Sequence, residues 1–472
     1  MEEKIIQAVD IGTTKVAAIV AKVTENNKLE ILGIGTSPSF GVIRADVANI
    51  SRTVDAIKKA VSQAEAQSGI PFTKVYVGIA GSHINSLQHR AMLMRQDYNE
   101  IISQKDIDQL IEDTYKLPLP PGDMIIELLP QNYKIDNNPI INDPIGMLGN
   151  KIEANIHVIT GSSIAVNNIK RCIREAGMDV EEVIMQPIAS AAAVLSKEEM
   201  EQGVALVDIG GGTTDLAIFV DGVIGYTAVI PFGGEVVTED IRQGCKILKD
   251  VAENIKITQG STFPSENDKN IIITIPGLKG RPSKEISMEM FVEIIKARME
   301  EILESVIHEI NLSGLADDLG CGIVFTGGGS QLKYLRQLAE YMSGYDVKIG
   351  VPNEHLSKTQ VQNVDNPIYS TAVGLVIKGM QNLSHEHSFN KKVENTVDNP
   401  PNVENNIGEK IKDIVDSPPK PPRNGDDEES SGIKGAGEPK GVKISSIIKK
   451  AGAKISRWIG DDQYEDFQDI KK

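Results

Sequence analysis

The run Ala8-Val9-Asp10-Ile11-Gly12-Thr13-Thr14-Lys15 joins an apolar strand to a carboxylate, a glycine turn, two hydroxyls and a cation. Those parts suit a phosphate cradle. Gly12 lets backbone N–H groups close on phosphate oxygens, Thr13 and Thr14 supply hydroxyl donors, Lys15 supplies charge, and Asp10 can hold a hydrated Mg²⁺ through its waters. Taken alone, the run also suits an ordinary β-hairpin. The pattern returns about two hundred residues later as Ala205-Leu206-Val207-Asp208-Ile209-Gly210-Gly211-Gly212-Thr213-Thr214-Asp215, and such self-similarity points to a duplicated fold with one phosphate hairpin from each half. Asp208 is then the second carboxylate facing a metal through water, and Gly210 to Thr214 the second cradle. A third glycine turn, Gly327-Gly328-Gly329 after the apolar Gly322 to Thr326, offers bare backbone that can lie against a base or ribose and approach an α-phosphate.

Such turns need strands and helices to hold them. Up to about Gly379 the two alternate, an α/β pattern: strands over Lys4–Asp10 and Val16–Val23, then a helix over Ile50–Gly69. Near Ser82 the pattern shifts to a strand-like run through Leu93, a helix after Ser103, a proline-rich turn at Leu117–Gly122, and strands at Met124–Leu129 and Ile152–Thr160, which suits a small inserted subdomain. Helices follow at Ala165–Ala176, before Ser196, over Glu289–Ile310 and over Gln331–Tyr341. Beyond about Met380 the chain turns to Asn, Glu, Pro, Ser and Lys, too poor in apolar surface to offset its chain entropy, so residues 381–441 are expected to be a disordered linker.

The linker ends at a second kind of chemistry. Ile444, Ile447, Ile448, Ala451, Ile455, Trp458 and Ile459 recur at helical steps, opposite Lys443, Lys449, Lys450, Lys454 and Arg457. One stripe is apolar and the other cationic, the signature of a helix that lies in a membrane surface, here over residues 442–459. An acidic tail, 460–472, closes the chain.

Composition bounds the rest. The 472 residues imply two or more domains, and an aromatic content of 4% implies an aliphatic core. A net charge of −17 argues against nucleic acid as a partner. Cys172, Cys245 and Cys321 fit neither a disulfide framework nor a zinc site, which suits a reducing cytosol. Met1-Glu2-Glu3-Lys4 lacks the basic start of a signal peptide, and no apolar stretch is long enough to span a bilayer. His83, His157, His308 and His355 are too scattered for metal-ligand spacing.

The two Asp-X-Gly hairpins and the third glycine turn resemble the actin, sugar-kinase and heat-shock-chaperone superfamily. Within it the chain is most similar to the FtsA family of bacterial division proteins, through Ser37-Pro38-Ser39, Ile156-His157-Val158-Ile159-Thr160, Gly280-Arg281-Pro282 and Tyr369-Ser370-Thr371-Ala372-Val373-Gly374-Leu375. Pro187–Val194 and Tyr369–Leu375 resemble that superfamily's two interdomain connections.

The resemblance implies an actin-like, two-lobed α/β fold of duplicated ribonuclease-H-like domains. The first lobe would be residues 1–82, 161–195 and 365–380, with the FtsA-type insert at 83–160. The second would be 196–364, with an outer subdomain at about 226–310. It further implies ATP with Mg²⁺ as cofactors, Glu253 and Lys256 near adenine and ribose, and Gln186 as a residue that orients water. An amide cannot accept a proton, so chemistry would rest on Asp208 and the metal, and turnover would be slow. Implied partners are FtsZ, with Arg281 offering charge to it, other division proteins, further copies of the chain in actin-like filaments, and the membrane lipid surface. The implied location is the cytoplasmic face of the inner membrane at the division septum, with the tethering of FtsZ as the function. A sugar or small-acid kinase of the same superfold is the rival reading, and a pilus-assembly relative another.

Overall fold

The computed structural model describes residues 4–24, 26, 28–96, 99–264, 271–277, 282–357, 361 and 364–397, with 384–397 as backbone alone. β1 (Ile5–Ile11) and β2 (Lys15–Val23) form a hairpin with Ile11 opposite Val16, and β3 (Leu29–Pro38) extends it antiparallel. The short pair β4 (Val42–Ile43) and β5 (Asp46–Val47) leads into α1 (Ile50–Ser68). Asn49 caps α1 by accepting from Arg52 N–H, and Gly69 at φ 72 stops it in the left-handed conformation glycine tolerates. Val54, Ile57 and Val61 share one buried face of α1, each burial stabilising by roughly 1.5–3 kcal/mol. β6 (Lys74–Ile79) then runs parallel to β1.

The insert comprises β7 (Asn85–Met94), α2 (Gln104–Thr114), β8 (Asp123–Ile135), β9 (Ile140–Ile141) and β10 (Lys151–Ser162), in sheet order β7-β10-β8-β9. It has its own core of Ile102, Leu110, Ile135, Ile152 and Ile156. β8 is longer than the expected Met124–Leu129 because the sheet admits Pro130 at a shift in register opposite Ile156. A largely buried Arg95 pins the loops at one end by donating to the Glu100, Ile101 and Gly149 carbonyls and pairing with Asp106 at 3.1 Å.

The chain returns to the first lobe through α3 (Ser163–Glu175), β11 (Asp179–Met185) and α4 (Gln186–Val194), and α5 (Lys197–Gln202) leads to the second. There β12 (Val204–Ile209), β13 (Thr214–Val220) and β14 (Val223–Ile230) repeat the meander. α6 (Gly234–Cys245), α7 (Lys249–Gln259), β15 (Ile272–Ile275), β16 (Lys284–Ser287) and α8 (Met288–Leu312) follow, then β17 (Ile323–Thr326), α9 (Leu335–Ser343), β18 (Val347–Ile349) and α10 (Ser370–Val397). The two five-stranded sheets, β11-β6-β1-β2-β3 and β14-β13-β12-β17-β18, have the same topology read from opposite ends, so the duplication seen in the hairpins extends to both lobes. Both faces of β12 are buried: Val204 and Leu206 join the core with α4 and α10, while Ala205, Val207 and Ile209 join the core with α6 and α8.

β14 stays paired to β13 through Ile230 and so belongs to the second lobe's five-stranded sheet. Two expected elements differ. The helix expected over Gln331–Tyr341 is broken at Tyr334, whose φ of 64 divides a one-turn 3₁₀ segment (Gly328–Gln331) from α9. α10 continues to Val397, so residues 381–397 are helical and not linker; no Gly or Pro interrupts the chain from Met380 to Asn399. Arg281, the remainder of the linker, the 442–459 segment and the acidic tail lie outside the described residues.

Candidate functional site

The two glycine hairpins meet face to face. In each, the first glycine N–H closes the turn on the carbonyl three residues on, Gly12 to Lys15 and Gly210 to Thr213, both at 2.9 Å. Thr14 lies on Gly211 and Thr13 on Gly212 so closely that a Cβ on either glycine would come within 2.4 Å of the threonine side chain. Only bare backbone allows this approach. The second hairpin is braced from behind by the start of α6, where Gly234 N–H donates to Gly210 O at 2.9 Å and Glu235 N–H to Gly211 O at 2.7 Å. Thr13 Oγ1 in turn accepts from Ala45 N–H at 2.9 Å.

At the bases of the hairpins stand Asp10, Asp208 and Asp215, all buried, with Lys15. Burial pushes the Asp10 carboxyl up to about 6 against the pull of Lys15. Burial and the Asp208 charge push Asp215 up to about 8, and burial raises Asp208 as well. Asp215 Oδ1 is buried without a hydrogen-bond partner, while Thr213 Oγ1 donates to Oδ2 at 3.4 Å. Asp208 Oδ2 accepts from Ser190 Oγ at 2.7 Å and Thr371 Oγ1 at 3.2 Å. Lys15 reaches the second connection, where Nζ donates to Ile368 O and lies 4.5 Å from the Tyr369 ring centroid. Burial lowers its pKa.

Raised carboxyls keep their protons in the folded chain where the unfolded chain has lost them. Their contribution to stability is therefore present near pH 4 and lost as pH rises toward 8. In divalent-free buffer the protein is expected to lose on the order of 2–4 kcal/mol between pH 5 and pH 8 by urea unfolding, because each tenfold difference in proton affinity between the folded and unfolded chain is worth about 1.4 kcal/mol. Asp215→Asn should flatten that slope, and a slope unchanged by the substitution would dissociate it from Asp215.

Gln186, the first residue of α4, donates from Nε2 to Asp10 Oδ1 at 2.9 Å, a bond within the first lobe. Gly327 at φ 81 lies beside Asp208 because β12 and β17 pair Asp208 with Thr326; a Cβ there would be 2.2 Å from Asp208 Oδ1. Gly329 packs on Ile209, whereas a Cβ on Gly328 would meet Ile368 at 3.7 Å. Lys256 ties α7 to α6, donating to Gly234 O and Thr238 Oγ1 at 2.8 Å each and pairing with Glu253 at 2.8 Å. Among the described residues no group of three His, Cys, Asp or Glu side chains is placed to hold a metal ion, and no helix is long and apolar enough to cross a membrane.

Asp215, Ser190 and Thr371 border Asp208, and the motifs alone do not single them out. Asp215 was legible in principle, since a hairpin that sets Ile209 opposite Thr214 sets Asp208 opposite Asp215. Ser190 and Thr371 carried no signal beyond lying in the two connections.

Two lobes on matching sheets, a glycine hairpin from each meeting at the junction, and a further subdomain let into the first lobe define an actin-like protein with an insertion. The chain superposes on a solved structure of the PilM-PilN type IV pilus biogenesis complex with a TM-score of 0.56 at 16% identity, covering 79% of this chain and 98% of that one. The family model for the SHS2 domain inserted in FtsA matches residues 81–160, and that for cell division protein FtsA matches residues 205–374. Cell division protein FtsA of Pseudomonas aeruginosa is 39% identical over 381 residues, 81% of this chain and 90% of that protein. FtsA of Neisseria meningitidis is 37% identical over 79% of this chain and 90% of its own length. The chain belongs to the FtsA family of cell division proteins.

Proposed function

We propose that this protein is an ATP-binding, actin-like adaptor that ties FtsZ filaments to the cytoplasmic face of the inner membrane at the division septum and helps bring in later division proteins. The observation that carries the reading is the joining, in one chain, of the FtsA-family fold to the apolar and cationic stripes of residues 442–459. A polyphosphate suits the hairpins: their bare glycines leave backbone free to approach it, and buried carboxylates outnumber the one lysine beside them, an excess that a hydrated Mg²⁺ held by Asp10 and Asp208 would offset. Because the hairpins touch, phosphates can pass between them only when the lobes part. ATP with Mg²⁺, when bound, supplies the γ-phosphoryl group whose transfer to water the site would promote. Gln186 gives one amide N–H to Asp10, and its other amide groups can orient that water but cannot take its proton, which supports slow turnover. Glu253 and Lys256 border the adenine and ribose side, and Gly327 to Gly329 the α-phosphate side. Arg281 offers charge to FtsZ, and head-to-tail contacts build filaments, since heterologous contacts need not close into rings.

The membrane stripe pairs about 1 kcal/mol per Lys or Arg near an anionic leaflet with Trp458 at headgroup depth, while Asp461, Asp462, Glu465, Asp466 and Asp469 oppose it. Single chains should therefore bind weakly and filaments firmly. The test is co-sedimentation of the full chain and FtsZ with anionic liposomes, with and without ATP. Trp458→Glu, or truncation before Val442, should leave most of both proteins in the supernatant, and Arg281→Glu should release FtsZ alone. Undiminished pelleting after truncation would refute the anchor. Transfer of labelled phosphate from ATP to a sugar would instead favour a kinase of the same fold.

A further inference from the structure

Both connections between the lobes end on one oxygen atom. Ser190 belongs to α4, the first connection, and is fully buried; Thr371 is the second residue of α10, the last connection. Their hydroxyls lie 3.0 Å apart and both donate to Asp208 Oδ2, at 2.7 and 3.2 Å. The arrangement depends on Gly374, one helical turn beyond Thr371: a Cβ there would fall 1.8 Å from Ala189 O, so only a bare Cα lets α10 pass close enough to α4 to set Thr371 against Ser190. The neighbouring Ser370 bonds Thr326 Oγ1 at 2.6 Å, while the body of α10, through Val373, Leu375 and Val376, packs in the first lobe's core. Lys15, from the other hairpin, donates to Ile368 O just upstream. The start of α10 and the residues just before it thus touch groups from both hairpins.

We propose that Ser190 and Thr371 are positioning residues: by holding Asp208 at Oδ2 from the two connections, they make the cation affinity of Asp208 and the angle between the lobes depend on one another. The physical reason is geometric. A carboxylate fixed at one oxygen presents the other in a single direction, and groups that orient a metal-facing ligand typically change metal affinity 10- to 100-fold when removed. Because the donors sit on the connections, a change in the angle between α4 and α10 moves the Asp208 carboxylate, and an Asp208 engaged by a cation resists that change.

The inference rests on the nucleotide reading of the site, and the experiment separates the two. ADP binding is titrated calorimetrically with and without Mg²⁺ in the full chain, and the distance between one spin label in each lobe is measured under the same conditions. The wild type should bind ADP more tightly with Mg²⁺, by tenfold or more, and its label distance should change. Ser190→Ala with Thr371→Val should reduce the Mg²⁺ enhancement to less than threefold and abolish the distance change, while metal-free ADP affinity stays within about threefold of wild type. Ser190→Thr with Thr371→Ser, which keeps both hydroxyls, should restore the enhancement and shows that loss of packing is not the cause. If the wild type shows no ADP binding, the nucleotide reading falls and the inference with it. If the wild type behaves as stated and the Ala/Val pair matches it, or shows only a lower melting temperature, the inference alone is overturned.

Discussion

Replacing Gly212 by valine is expected to lower ATP affinity at least 100-fold, about 3 kcal/mol. The glycine faces Thr13 across the junction, and a Cβ would sit 2.4 Å from its Oγ1 and 2.9 Å from its Cβ. The threonine is β-branched and has few rotamers in which to retreat, and its hydroxyl is already engaged by Ala45 N–H. Valine therefore holds the hairpins apart and fills the space through which backbone would approach a phosphate. The variant should remain folded, because the hairpin turn bond from Gly210 to Thr213 does not involve the new side chain. The measurement is a fluorescence titration with a labelled ATP analogue beside a thermal melt. Affinity within threefold of wild type in a folded variant would remove the hairpins from the binding site.

Gly374→Val is expected to act on stability. The added Cβ would lie 1.8 Å from the carbonyl oxygen of Ala189 and 2.3 Å from its carbon, and both are backbone atoms of a buried helix that cannot swing aside. α4 and α10 must separate, uncovering Ala372, Val373 and Val376 and parting Ser190 from Thr371. Overpacking usually costs about 1–3 kcal/mol, and a clash with backbone should exceed it, at about 4 kcal/mol. That is a large part of the roughly 5–15 kcal/mol by which domains are stable. Gly344→Ala provides the contrast: its φ of 74 strains a side chain, yet nothing lies within 4 Å, so about 1 kcal/mol is expected. Urea midpoints decide between them, and equal shifts in the two variants would mean that the α4–α10 crossing is not tightly packed.

The insert meets the second lobe through polar side chains. Gln131 Nε2 donates to Ile224 O at 2.6 Å, Gln88 Nε2 to Gly225 O at 3.4 Å, and His157 Nε2 lies 3.4 Å from Thr227 Oγ1. These groups cover part of β14, the edge strand of its sheet, which would otherwise offer unpaired backbone. Burial lowers the His157 pKa to about 4, so the imidazole is neutral in this contact at neutral pH.

The features legible in the residues alone are local or repeated. Asp10 to Lys15 and Asp208 to Thr214 declare their turns because glycine, hydroxyl and carboxylate must follow a strand in that order, and the repetition declares two lobes. The insert showed as a change in pattern after Ser82, and the 442–459 stripes as a periodicity. The contacts that complete the centre depend on groups far apart in the chain. That Thr13 and Thr14 close on Gly212 and Gly211, that Asp215 is left with an unpartnered oxygen, and that Ser190 and Thr371 share Asp208 all follow from how the two lobes are brought together. No propensity or spacing encodes such pairs. A strand and its turn are fixed by neighbours within a few residues, whereas a hydrogen bond from Thr371 to Asp208 exists only because α10, after 163 intervening steps of chain, crosses α4 at the bare Cα of Gly374.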